Sequence, residues 1–256
     1  FAARADGHAP EMFPTSMGDL TVHPIAHASL VLELADGTIY VDPVGDAADY
    51  AGLPAAAIIL ITHEHGDHFD AETLAALDTG SSVFITNPAV FAMLTEDQQA
   101  RATSLANGDR MGLGDLTIDA IAAYNTTEDR LNFHPQGRDN GYVLTYRDFR
   151  VYISGDTEDT PEMRGLENID LAFVCMNLSL IHTSDPTTPY SISSVLFFFS
   201  TKTRPSSARH SFHMLPKCAM RNTPSSDTPA IKKLKLPNKK SPTSLAPLHK
   251  KPLKRG

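Results

Sequence analysis

The chain has 256 residues, a net charge of −8, 41% apolar residues, two cysteines and no tryptophan, enough for one sizeable domain or two small ones. No apolar run approaches the roughly 18 residues of a membrane helix, and Cys175 and Cys218, one on each side of a change in composition near residue 178, say little about a disulfide framework. The charge is unevenly spread: residues 1–178 carry eight arginines and no lysine against 28 acids, a net of −20, whereas residues 179–256 carry fourteen basic residues against two aspartates, a net of +12.

The first residues, Phe1-Ala2-Ala3-Arg4-Ala5-Asp6, set small side chains at Ala3 and Ala5 as a signal-peptidase site does. They read as the remnant of an export signal, which implies a periplasmic or secreted protein, with a cytoplasmic one as the alternative. Residues 6–17 predict irregular structure. Leu20 to Ile25 predicts a first strand, and Ser29 to Leu34 with Thr38 to Asp42 predicts a hairpin, because Asp36-Gly37 between β-rich runs is a strong turn signal. Ala55 to Ile61 is an apolar run of strand length, and Phe69 to Leu77 has helical spacing behind an acidic first turn. Strands follow at Ser82 to Thr86, Leu116 to Ile121, Gly141 to Tyr146, Arg150 to Ser154 and Ile169 to Met176, and a helix starts at Pro88. Strand pairs mixed with helices argue for a layered α/β domain.

Between the apolar run and the helix stands Thr62-His63-Glu64-His65-Gly66-Asp67-His68. Three imidazoles and the Asp67 carboxylate within six residues form a nitrogen and oxygen set suited to zinc or a neighbouring divalent metal. A solvated polar loop has no need of that density. On an extended loop alternate side chains point the same way, so His63 and His65 can share one ion while Asp67 and His68 face a second. His134 lies just ahead of a predicted strand, and Asp156 ends another in Ser154-Gly155-Asp156-Thr157, where the glycine lets the backbone approach a ligand.

The His-x-His-x-Asp-His pattern after an apolar strand resembles the metallo-β-lactamase fold superfamily. The His134 and Asp156 segments, His27-Ala28-Ser29, Val41-Asp42-Pro43 and Pro161-Glu162-Met163 are similar to the branch of small hydrolases that includes ascorbate 6-phosphate lactonase. The resemblance covers about Gly18 to Asn177. It implies a four-layer αβ/βα sandwich and two ions, zinc or else manganese or iron. His63, His65 and His134 would hold one ion, Asp67 and His68 the second, and Asp156 would bridge them. It further implies hydrolysis of an ester, lactone, amide or phosphoester of a small molecule, since paired ions make hydroxide available near neutral pH. Asp67 or Asp156 would orient that hydroxide or take its proton. His27 and Asp42 are expected to orient ligands, Tyr124 and Asn125 to line the wall, and Cys175 to be a buried core thiol.

From Ser179 onward the periodicity fails. The family's second site is completed by a late histidine beyond the position of Asn177, and none of His182, His210, His213 and His249 has a matching context. The expectations are a domain over 18–178 incomplete at its C-terminal end, a loose or missing second ion, reduced stability and weak activity. Residues 179–256 read as a disordered Ser-, Pro- and Lys-rich tail, and the abrupt change near Leu178 fits translation out of frame better than a natural tail. The alternative is a non-catalytic metal-binding domain whose basic arm, Lys232 to Lys235 and Lys250 to Arg255, contacts an anionic partner. The acidic part in front of it argues against nucleic acid.

Overall fold

The computed structural model describes residues 9–177 and 193–199, all within the first of two compact units, 1–220. Seven strands form one mixed sheet in chain order: β1 (Glu11–Thr15), β2 (Gly18–Ala26), β3 (Ser29–Leu34), β4 (Gly37–Val41), β5 (Ile58–Leu60), β6 (Val83–Thr86) and β7 (Ala102–Ser104). Pairing is antiparallel from β1 to β4 and parallel from β4 to β7. The second sheet runs β8 (Arg110–Leu113), β9 (Leu116–Ala123), β10 (Asp139–Tyr146), β11 (Phe149–Ile153), β12 (Leu171–Asn177) and β13 (Ser193–Phe199), antiparallel except for β11 on β12.

The alternation of strand side chains sorts the apolar residues into two cores. Leu30, Leu32, Ile39, Val41, Ile58 and Leu60 face the second sheet and pack with Ile118, Tyr142, Leu144, Ile153 and Phe173. Their neighbours Val31, Tyr40, Ile59 and Ile61 point the other way, under α1 (Ala71–Leu77) and α2 (Pro88–Phe91), against Leu74 and Val90. Two facing sheets with helices outside are the expected architecture. The fourth layer is represented among the described residues by α4 (Pro161–Arg164), which follows a further short helix, α3 (Glu96–Gln99), in chain order.

The helix starts have local causes. The Asp70 side chain accepts from the amides of Glu72 and Thr73 at the head of α1, and Asn87 does the same for Val90 ahead of Pro88. Two regions differ from the sequence expectation. Residues 11–15, read as irregular, form an edge strand despite Pro14, because an edge position tolerates a missing donor. Residues 193–199, read as part of a tail without regular structure, pair with β12. The rest of that reading, including the basic arm, the four tail histidines and the export remnant, falls outside the described residues.

Candidate metal centre

Five loop segments meet at one rim of the sheets: the β2–β3 turn, the ends of β4, β5 and β11, and the approach to β10. Their organiser is Asp42, at 1% exposure. Its carboxylate accepts from the Thr62 amide, the Thr62 hydroxyl and His68 Nδ1, each at 2.7 Å. Because the one hydroxyl proton of Thr62 goes to Asp42, its oxygen is left to accept from His63 Nδ1 at 3.0 Å. The Nε2 atoms of His63 and His68 are thereby turned inward, and both are buried without a hydrogen bond.

On the opposite side, His134 Nδ1 donates to Asp139 Oδ2 at 2.9 Å, which turns its Nε2 toward Asp156 Oδ2, 3.6 Å away. Asp139 is fully buried and also accepts from Arg138, whose guanidinium reaches Glu64 at 3.0 Å. Arg138 thus ties the His134 loop to the His63–His68 loop. Asp156 Oδ1 lies 3.4 Å from His68 Nε2, so one carboxylate faces imidazoles from both loops.

Within the site the donor atoms of His63, His65 and His134 lie within 4.8 Å of one another, as do those of His63, His68 and Asp156, and those of His27, Asp67 and His68. Each sequence-selected residue, His63, His65, Asp67, His68, His134 and Asp156, is therefore part of one constellation. His27, expected only to orient ligands, contributes Nε2 at 2.9 Å from Asp67 Oδ2.

Burial pushes His63 down to about 2, with His68 adding to the effect, and likewise lowers His65. Burial also opposes a charge on His68, yet Asp42 and Asp156 outweigh it and push that imidazole up to about 10. Asp156 is held well below the usual carboxylate range, since His68 and His63 overcome the effect of its burial. Asp67 is held at about 2 by its hydrogen bond from His27. A proton on His68 thus answers the buried Asp42 and the half-buried Asp156, a role a divalent cation can take over.

Three features differ from their sequence expectation or were missed. Gly155 (φ +58) approaches protein, not a ligand: a Cβ there would lie 2.8 Å from the Asn140 carbonyl and 3.1 Å from Thr62. Cys175 is half-buried, not a core thiol, and faces Asp156, which together with burial raises its pKa. Asp139 and Arg138 carried no sequence signal beyond their place before a strand. Tyr124 is buried with its hydroxyl on Glu162, and the Asn125 amide donates to the His134 carbonyl.

A second tie joins the loops. Glu158 Oε2 accepts from the amides and hydroxyls of Thr126 and Thr127, at 2.8 to 2.9 Å. Burial works against its charge, but these four donors hold it at about 2, below its ordinary 4.5. A depressed carboxylate stabilises the fold above its unfolded-state value and loses that contribution as the pH falls through its folded value. Glu158→Gln is expected to be less stable than the parent at pH 7, with the gap narrowing from pH 4.5 toward 2; urea midpoints at each pH measure it.

The chain matches the family described as "Beta-lactamase superfamily domain" over residues 21–185. It is 25% identical over 150 residues to a UPF0173 metal-dependent hydrolase of Dinoroseobacter shibae, covering 55% of this chain and 64% of that one. A UPF0173 protein of Pyrococcus abyssi is 30% identical over 149 residues, covering 58% and 66%. The chain thus spans about two thirds of the length of these relatives. A solved structure from Parabacteroides distasonis ATCC 8503, described only by class as a metal-dependent hydrolase, is 43% identical with a TM-score of 0.57, covering 64% of this chain and 73% of that one. CmlA, a diiron β-hydroxylase of Streptomyces venezuelae, shares the fold at 19% identity and a TM-score of 0.50, over 62% of this chain and 35% of its own. With its paired sheets and its histidine-rich rim, the chain belongs to the beta-lactamase superfamily domain family.

Proposed function

We propose that the chain is a metal-dependent hydrolase of a small molecule, with two divalent ions at the rim. His63, His65 and His134 would hold one; Asp67 and His68 would hold the second, with Asp156 between them. The observation that carries this reading is the buried Nε2 of His63, without a hydrogen bond, beside the buried Nε2 of His68, which meets only the Asp156 carboxylate at 3.4 Å. Leaving such an atom unsatisfied costs about 1–3 kcal/mol, and a bound cation removes that cost. The donor set fits the group, since three of its imidazoles, His68, His134 and His63, are oriented through their other nitrogen by Asp42, Asp139 and the Thr62 hydroxyl, as metal-bound histidines are.

A divalent ion bound here supplies a Lewis acid and a water of lowered pKa. The chain's own residues supply the rest. Asp67, with 45% of its side chain exposed, is the carboxylate a substrate at the rim can reach, so it is the group to take a proton at Oδ1. Asp42 and Asp139 keep the imidazoles in one tautomer. Asp156, 16% exposed, orients the donors of both loops. The reactions that fit are cleavages of an ester, lactone, amide or phosphoester, in which an oxygen is polarised and attacked by water. Imidazole with carboxylate suits zinc, with manganese or iron as alternatives.

The test begins with the metal content of the purified chain. The protein reconstituted with each metal is then assayed on esters, lactones, amides and phosphodiesters beside His65→Ala and Asp67→Ala. Metal-dependent turnover that both substitutions abolish is the expected result. Equal turnover in metal-free and metal-loaded protein would sink the proposal.

A further inference from the structure

We infer that His27 is a direct ligand of the second ion, closing with Asp67 and His68 the site that the family completes with a late histidine. The inference rests on the metal-dependent reading above and replaces the expectation that the second ion is loose.

Three observations lead to it. The first is geometric. His27 Nε2, Asp67 Oδ2 and the nearby His68 nitrogen form a donor group of their own. The 2.9 Å between the first two atoms is a hydrogen-bond distance, about 0.5 Å short of the roughly 3.4 Å that two ligands at ordinary zinc distances leave between them, a gap that a small side-chain shift opens. The His27 ring also meets the His68 ring edge-on, with centroids 5.7 Å apart.

The second observation is conformational. His27 opens the two-residue turn between β2 and β3, where Ala26 pairs with Ser29, and it has φ +52. Glycine meets that demand at least cost, and asparagine, aspartate and histidine are the side-chain-bearing residues that adopt it most often. The left-handed backbone at His27 aims its imidazole at Asp67.

The third is anchoring. The turn does not float: the Ser29 hydroxyl donates to the Asp42 carbonyl and accepts from the Val44 amide. His27 is therefore held in register with Asp42, which orients His68 through its carboxylate. A hydrogen bond to Asp67 alone would need no such frame. The pocket beside the group is lined by Ala28, His68, Asp156 and Cys175, which makes Cys175 the competing donor.

The experiment is a metal titration of the full chain, independent of turnover. Metal-free protein is titrated with Zn2+ by calorimetry and with Co2+ by visible absorbance, beside His27→Asn, Cys175→Ser and His63→Ala. Asparagine tolerates the left-handed turn, and its shorter amide does not reach the ion. The unsubstituted chain is expected to take two equivalents. His27→Asn is expected to keep one at unchanged affinity and to weaken the second by more than the roughly 10–100-fold that loss of an outer partner costs. His63→Ala should weaken the first. A second ion in His27→Asn within about 100-fold of the parent overturns the assignment, as does its loss in Cys175→Ser alone. One equivalent in the parent, abolished by His63→Ala, also overturns it while leaving the metal-dependent reading intact; no binding at all overturns both. Should His27→Asn fail to fold without metal, the parent loaded with 113Cd gives an independent answer: coupling of the His27 Nε2 resonance to cadmium supports the assignment, and its absence with both ions bound refutes it.

Discussion

Asp42→Ala is expected to lower the unfolding free energy of the metal-free chain by about 3–5 kcal/mol, the range for removing one partner of a buried ion pair. Asp42 and His68 are both at 1% exposure, so no water replaces the carboxylate. The change would leave the His68 imidazole, the Thr62 amide and the Thr62 hydroxyl without their acceptor at one stroke. It would also put alanine where the backbone is left-handed, at φ +42, a conformation asparagine tolerates better. Asp42→Asn should therefore lose less, keeping an acceptor for the Thr62 amide while surrendering the charge. Urea unfolding of the three proteins checks both statements; equal midpoints would mean that Asp42 does not organise the rim.

Asp156→Ala has the largest expected effect on activity. Its two oxygens lie 3.4 Å from His68 Nε2 and 3.6 Å from His134 Nε2, so among the described residues it is the one carboxylate ion-paired with imidazoles of both loops. Metal affinity should fall at both positions, and kcat/KM for any hydrolysed substrate should fall more than about 100-fold, equivalent to about 2.7 kcal/mol. Metal analysis and initial rates on the same preparation decide it. Two ions retained with near-normal turnover would remove Asp156 from the centre.

Most of the sheet framework was legible in the residues because its strands carry their own pattern. The Asp36-Gly37 hairpin came out as β3 and β4, and the alternation in Leu116 to Ile121 as part of β9. Strands β7 and β8 escaped notice: Ala102–Ser104 is three residues without a pattern, and Arg110–Leu113 is a mostly exposed edge. The Gly114-Asp115 pair between β8 and β9 was the turn signal that could have exposed the hairpin. Strand β1 was hidden for a related reason, since an edge strand is held by pairing with β2 and needs little apolar pattern of its own.

The site divides in the same way. His63, His65, Asp67 and His68 stand within six residues, so adjacency along the chain announced the donor set before any folding. Whether donors from other segments meet them is a matter of loop closure, which no local pattern encodes: His27 reaches Asp67 across 40 residues, and Asp42 reaches His68 across 26. The sequence by itself determined the type of chemistry and the strands that frame it, because residue type and period-2 alternation are local properties. Only the tertiary structure decided that Asp42, and not a ligand, is the hub of the rim, that Gly155 makes room for Asn140 and Thr62, and that Cys175 and His27 face the same centre. Those outcomes depend on how two sheets stack and where five loop segments converge, and that packing is set by the whole chain at once.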